Sequence, residues 1–316
     1  MNWVKMDKTA IAVLLMAYGS PETIHDVGEY YRHIRGTYFP SNAPHEKEID
    51  YLKSKYQQIG GRSPLLEITR QQAKELQSEL GKIKGTHSFN VYFGMKHWRP
   101  FIEDAMGRIY VDGISRIIAI VLAPHYSEIS IGGYIKSIKT FQAEHGNKAE
   151  INFIKSWHLN EFYLNSIANN IKSTLKSLDS NSKDEVPLVF TAHSIPKNGL
   201  LNSDIYQEQL AQTCQSIAKL ENLKKWQFAF QSKGSKGEWL GPDIRHTVKK
   251  LSQENNSIIV ICPIGFVSDN LEILYDIDIE CQNIAKESGA KIIRTRSLNT
   301  NPTFIKALSS VVMENL

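Results

Sequence analysis

The sequence predicts an α/β fold made of two similar halves, each a parallel sheet flanked by helices, with a ligand cleft between them. Three observations predict it. Eight short β-branched runs alternate with helical patterns along the 316 residues, a length suited to roughly two domains. Most of these runs are apolar throughout, which suits parallel strands covered on both faces. Finally, the first half has an echo in the second. Leu14-Leu15-Met16-Ala17-Tyr18-Gly19-Ser20-Pro21 matches Leu188-Val189-Phe190-Thr191-Ala192-His193-Ser194-Ile195-Pro196 in pattern: an apolar strand, an aromatic ring, a small residue and a proline. The halves are expected at 1–160 and 161–316, with the polar stretch 177–185 as a surface connection.

The predicted strands are residues 11–17, 90–94, 116–123, 150–154, 187–192, 227–231, 257–263 and 291–295. The helices between them carry end signals. Thr69 followed by Gln72 reads as a capping box ahead of Ala73, Leu76 and Leu80, with Gly81 as the stop. Pro100 and Pro242 fit first-turn positions, and Asn160 fits the cap of a helix whose apolar face is Tyr163, Ile167, Ile171 and Leu175.

Composition excludes several classes. The net charge of +4 is modest, and no Lys/Arg run forms a nucleic-acid arm. Cys214, Cys262 and Cys281 form no CxxC pair, against a disulfide framework, a zinc site or a cysteine-ligated cluster. The first apolar run is short and follows Lys5, Asp7 and Lys8, so it reads as a strand and not a signal peptide. No window approaches the ~20 apolar residues of a membrane span. A cytoplasmic protein with no membrane anchor is expected.

The most chemically pointed segment is 267–285. Glu272, Asp276 and Glu280 recur every four residues and would stack on one helical face. Ile273, Ile277, Cys281 and Ile284 would form an apolar stripe beside them. Two readings stand: a solvated acidic face, or the wall of a cleft. Like charges at this spacing repel, so a cation is expected nearby.

Ligands in open α/β sheets bind beyond the C-terminal strand ends. That rule gathers Tyr18, His97, His125, Tyr126, His193 and the Glu272 helix at one cleft. His193 is a candidate base or metal ligand, because imidazole titrates near neutrality. His97 and His125 would as readily hold a turn. No HExxH, GxxxxGK[ST], GxSxG or GxGxxG motif appears, so zinc-protease, P-loop, hydrolase and NAD readings lack support. One histidine, several carboxylates and aromatic rings suit metal handling on a flat aromatic ligand.

Seven segments together resemble ferrochelatases, in order and over nearly the whole chain. They are Met16-Ala17-Tyr18-Gly19-Ser20-Pro21, residues 56–65, Gly94-Met95-Lys96-His97, residues 121–127, Ala192-His193-Ser194-Ile195-Pro196, residues 239–243, and residues 263–276. The resemblance is greatest to the soluble enzymes of Gram-positive bacteria, which act on coproporphyrin III. It implies two Rossmann-like, chelatase-type domains clasping a porphyrin, with His193 and Glu272 as the catalytic pair. It implies that Tyr18 meets the iron of the product, and that Arg35, Lys55, Tyr56, Ser63 and Tyr134 contact the macrocycle or its propionates. Asp276 and Glu280 would hold cations on the way in, Mg²⁺ included. Fe²⁺ would be a substrate, with no resident prosthetic group and no iron–sulfur cluster. A monomer with transient contacts to neighbouring haem-pathway enzymes is expected. Departures lie at the rim: Arg35-Gly36 for the usual Arg-Arg, Lys55 for Arg, Glu128 for a small polar residue, Asn270 for His, and a more basic loop at 233–238. They leave open a cobalt chelatase, a non-catalytic haem or coprohaem carrier, and a small-ligand module with no metal role.

Overall fold

All eight predicted strands form, as two four-stranded sheets of identical topology. The computed structural model describes residues 9–38, 46–178, 185–197, 205–234, 237–254 and 256–316. Most of the 177–185 connection, and residues 235 and 236 of the basic loop, lie outside the described residues.

The first half runs β1 (Thr9–Ala17), α1 (Val27–Tyr38), α2 (Glu46–Gln58), α3 (Leu65–Gly81), β2 (His87–Met95), α4 (Ile102–Val111), β3 (Arg116–Val121), α5 (Glu128–His145) and β4 (Glu150–Ile154). Helix α6 (Glu161–Lys176) leads to β5 (Leu188–His193), α7 (Tyr206–Leu220), β6 (Trp226–Gln231), α8 (Ile244–Gln253) and β7 (Ile258–Pro263). A π-helix (Ile273–Cys281), α9 (Gln282–Glu287), β8 (Lys291–Arg294) and α10 (Pro302–Met313) complete the chain. The strand orders are β2-β1-β3-β4 and β6-β5-β7-β8, all parallel. The order reverses between β1 and β3 and again between β5 and β7. Each reversal opens a crevice at the C-terminal strand ends.

The two faces of each strand enter different cores, which is why the runs are apolar throughout. Ile11, Val13 and Leu15 of β1 join one core with Phe190 of β5, Tyr163 of α6 and Phe304 of α10. That core is common to both sheets. Ala12, Leu14 and Met16 face α4 and α5 instead. Val189, Ile259 and Ile261 face α8, the π-helix and α9.

Three helix starts differ from the sequence expectation. Thr69 does not cap; α3 begins at Leu65, and the Thr69 hydroxyl donates back to Leu65 O at 2.8 Å. Gln72 is buried and spans outward to the Ser268 hydroxyl (2.9 Å) and Asn299 O (2.8 Å). Pro100 and Pro242 lie just before the caps Phe101 and Asp243, outside the first turns. Asn160 does cap α6, accepting from Tyr163 N at 3.2 Å. The acidic segment is a π-helix rather than an α-helix: Gln282 N–H donates to Ile277 O, five residues back.

Phe304 is fully buried in the common core. Phe304→Ala is expected to cost roughly 3–5 kcal/mol. Val111→Ala, at a position 83% exposed, is expected to change stability by no more than about 0.5 kcal/mol. Urea denaturation of the two variants checks both.

Candidate active site

The second switch point sets two side chains against each other. His193 is the last residue of β5, and Glu272 immediately precedes the π-helix that follows β7. Their Nε2 and Oε1 atoms are 3.1 Å apart, with the side chains 38% and 35% exposed. Residue 265 must be glycine for this approach. A Cβ there would stand 2.6 Å from Ala192 Cβ, directly before His193. Behind the pair, buried Gln231 accepts from Thr191 Oγ1 at 2.7 Å and donates to Glu272 O at 3.4 Å.

Both ring nitrogens of His193 face acceptors: Nδ1 meets Ser194 O and Nε2 meets Glu272. Burial by itself would lower the His193 pKa. The Glu272 charge and hydrogen bond, with the Ser194 carbonyl, reverse this and raise it to about 9. Burial pushes Glu272 up, but the His193 charge and hydrogen bond hold it below its ordinary value. At neutral pH the resting pair is therefore imidazolium and carboxylate.

The rest of the ladder is also met by cations. Asp276, 4% exposed, receives Lys55 Nζ at 3.2 Å and the Ser232 hydroxyl at 2.5 Å. Burial raises the Asp276 pKa, and Lys55 offsets only part of that rise. Burial would lower Lys55, but Asp276 and Tyr51 raise it. Lys55 also lies over the Tyr275 ring at 4.4 Å. Glu280 faces Arg245 Nη1 at 3.7 Å, and Arg245 is itself paired with Asp243. The fully solvated reading of the ladder fails, since Asp276 is buried with Ile273 and Ile277. Among the described residues no three His, Cys, Asp or Glu side chains are grouped to hold a metal ion.

The first half supplies an aromatic wall. Tyr18 follows β1, is 39% exposed, and lies 4.5 Å ring to ring from His97. Tyr134 is buried beneath Lys96 Nζ at 5.0 Å. Tyr30 donates to Gly19 O at 3.0 Å. Its pKa is raised by burial first, then by Tyr56, Tyr18, Glu272 and Tyr134, so the two walls share one electrostatic neighbourhood. Arg35 stands half-buried in the last turn of α1. Tyr56 is 1% exposed and bonds Ser20 Oγ at 3.0 Å. Ser63 is buried and accepts from Leu65 N at 3.3 Å, starting α3. Lys55 faces Asp276 instead of the rim.

His125 does not join the cleft. It is buried, and its Nε2 lies 2.9 Å from Thr213 Oγ1 on α7. Burial and the neighbouring His158 lower its pKa to about 3, so it is neutral and structural. Tyr126 follows it outward: its N–H donates to Gln209 and its hydroxyl to Glu128. His97 is also lowered to about 3, by burial, Lys96 and His33, and is no base at neutral pH. Asn270, where the resemblance leads one to expect His, accepts from Ile273 N at 3.0 Å and so caps the start of the π-helix. The three cysteines are buried; burial pushes the Cys262 thiol up to about 12, away from thiolate chemistry. Tyr30, Gln231, Ser232 and Arg245 join the site without belonging to any motif among the sequence candidates. Only Tyr30, beside Tyr31 in an amphipathic segment, left a local signal.

Two parallel α/β sheets carrying a His–Glu pair at a switch point define a chelatase-type architecture. The solved structure of SirB from Bacillus subtilis with Fe3+ shares that fold, with a TM-score of 0.60 at 11% identity, over 96% of this chain and 95% of that one. Residues 10–316 match the ferrochelatase family. The chain is 40% identical over 302 residues to a ferrochelatase of Herpetosiphon aurantiacus, covering 95% of this chain and 97% of that protein. It is 38% identical over 313 residues to a coproporphyrin III ferrochelatase of Geobacillus sp. strain WCH70, covering 98% and 99%. The chain belongs to the ferrochelatase family, lyases that insert iron into a porphyrin in haem biosynthesis. No helix among the described residues is long and apolar enough to cross a membrane.

His193, with its pKa raised, contributes stability that is full below the ordinary imidazole pKa and lost as pH rises through about 9. Glu272, with its pKa lowered, contributes above its ordinary range and loses this as pH falls. The Tm difference between wild type and Glu272→Gln should therefore shrink as pH rises from the ordinary imidazole value of 6.5 to about 9, measured by calorimetry. Gly265→Ala should displace the end of β5 and lower kcat on the order of 100-fold, with urea stability measured alongside.

Proposed function

We propose that the porphyrin is coproporphyrin III, and that His193 and Glu272 act on it as ferrous iron enters. The porphyrin choice is supported by relatives named for that substrate at 36–38% identity over nearly the whole chain. The pair's role is supported above all by its 3.1 Å contact at the meeting of two strand ends. The site lies in the cytoplasm on this reading, and iron is cargo.

Insertion exchanges two pyrrole N–H protons for one Fe²⁺, so the ring's net charge is unchanged and two protons must leave. A group near the ring has to accept them. At neutral pH the imidazolium has no lone pair to offer, and Glu272 does. Glu272 takes the first proton. That removes the charge that held His193 up, and burial then lowers its pKa. His193 releases its proton outward and presents a bare Nε2 for iron or for the second proton. Asp276 and Glu280 offer oxygen donors along the approach, held in the resting enzyme by Lys55 and Arg245. A hydrated Fe²⁺ or Mg²⁺ there replaces those cations. Tyr18 meets the ring on the opposite face, near the metal. Arg35 and the Lys96–Tyr134 pair face its carboxylates, while Tyr56 and Ser63 act from behind through Ser20 and the start of α3.

Anaerobic Fe²⁺ or Zn²⁺ added with coproporphyrin III should give the metalloporphyrin spectrum, faster than with protoporphyrin IX. His193→Ala and Glu272→Gln should each lose about 10²–10⁴-fold in kcat. Wild-type rates in both variants overturn the pair's role, and faster turnover of protoporphyrin IX overturns the porphyrin.

A further inference from the structure

The proposed role of Glu272 requires its segment to be held still, and the residue that holds it stands outside the cleft. Arg294, the last residue of β8, uses its whole guanidinium on the acidic segment. Nε and Nη2 form a fork with Asp278, at 2.7 and 2.9 Å. Nη1 reaches Asp269 at 3.2 Å and Ser297 Oγ at 3.1 Å, and donates to Thr295 O at 3.3 Å. Its side chain is 16% exposed. Asp269 precedes Glu272 in the chain and Asp278 follows it, so one cation grips the segment on both sides of the reacting carboxylate.

The grip extends into the other half of the molecule. Asp269 also accepts from Ser297 Oγ (2.7 Å) and Asn299 Nδ2 (2.9 Å), and its N–H donates to Asn299 Oδ1 (2.9 Å). Gln72 of α3 ties Ser268 and Asn299 O to the first half. Residues two apart on a helix do not share a face, so Asp278 stands away from Asp276 and the ladder. Arg294 therefore acts from behind the site. A π-helix has few hydrogen bonds of ordinary α geometry to fix its turn, and this one carries three acids within it.

We propose that Arg294 is a positioning residue for iron insertion, one that sets the register of the π-helix and so the Glu272–His193 contact. It touches neither iron nor porphyrin. Lysine cannot replace it, because an ammonium cannot fork onto Asp278 while reaching Asp269.

This inference rests on the proposed role of Glu272, and the test keeps the two apart. Anaerobic insertion kinetics are measured on wild type, Arg294→Lys, Arg294→Ala, Asp278→Asn and the Arg294→Ala/Asp278→Asn double variant with both porphyrins. Each Arg294 variant is expected to lose roughly tenfold in kcat, with a raised metal KM and a porphyrin KM within about twofold. Millimolar guanidinium chloride should restore part of the Arg294→Ala rate, and Asp278→Asn should add little to Arg294→Ala. A merely structural role predicts a lower Tm, an unchanged rate per folded molecule and no guanidinium rescue, and that result overturns the proposal. If Arg294→Ala does not fold, Arg294→Lys decides by the same kcat and KM split. The porphyrin reading is judged on the wild-type ratio between the two porphyrins, and the role of Glu272 on Glu272→Gln. Arg294 is judged on the variant-to-wild-type ratio on either porphyrin.

Discussion

A run of acids on one short helix stands only if each meets a cation, and this requirement organises the second half of the molecule. Glu272 faces His193, Asp276 faces Lys55, Asp278 faces Arg294 and Glu280 faces Arg245. The four cations come from β5, α2, β8 and α8, four elements that surround the π-helix. Half-exposed pairs of this kind contribute little stability one by one. Their worth is geometric: each fixes one carboxylate in direction, so the segment cannot turn without breaking several contacts together. The buried Asp276–Lys55 pair is the costliest to break, because loss of Lys55 would leave a carboxylate uncompensated in the protein interior.

The same arrangement gives the site its chemistry. Desolvation alone would leave a histidine neutral, as it does the buried His97 and His125. Whereas His97 meets Lys96 and His33 and His125 meets His158, His193 faces a carboxylate and the Ser194 carbonyl. Its protonation is therefore slaved to the charge on Glu272, and any event that neutralises Glu272 frees the imidazole. A metal chelatase has to move two protons against the arrival of a dication, and a coupled pair suits that exchange better than two independent bases. The aromatic wall of Tyr18, Tyr30, Tyr56 and Tyr134 contributes low polarity and shape, with the Tyr30 and Tyr56 hydroxyls tied to Gly19 O and Ser20 Oγ.

Strand positions were legible in the sequence because both faces of each strand are buried, which writes an unbroken apolar run. His193 and Glu272 were legible because one ends such a run and the other opens a periodic acidic pattern. The π-helix was not, since a period of four in sequence suits either helix type. Thr69 and Gln72 mimicked a capping box, yet Gln72 is spent on Ser268 and Asn299, some two hundred positions away. Lys55 was read as a rim residue because nothing local connects it to Asp276. His125 shared the strand-end signature of His193, but it is buried against Thr213, away from any carboxylate of the ladder.

By itself the sequence determined two parallel α/β halves, the cleft at their strand ends, and the histidine and carboxylates that face it. These follow from local periodicity and from the rule that ligands in open α/β sheets bind beyond the C-terminal strand ends. Tertiary structure alone decided which cation each carboxylate meets, which histidine stays neutral, and that Arg294 grips the Glu272 segment from behind. Those outcomes depend on burial and on charges brought together from distant parts of the chain. Electrostatic energy at a few ångströms is set by distance in space, for which neighbouring positions in the sequence carry no code.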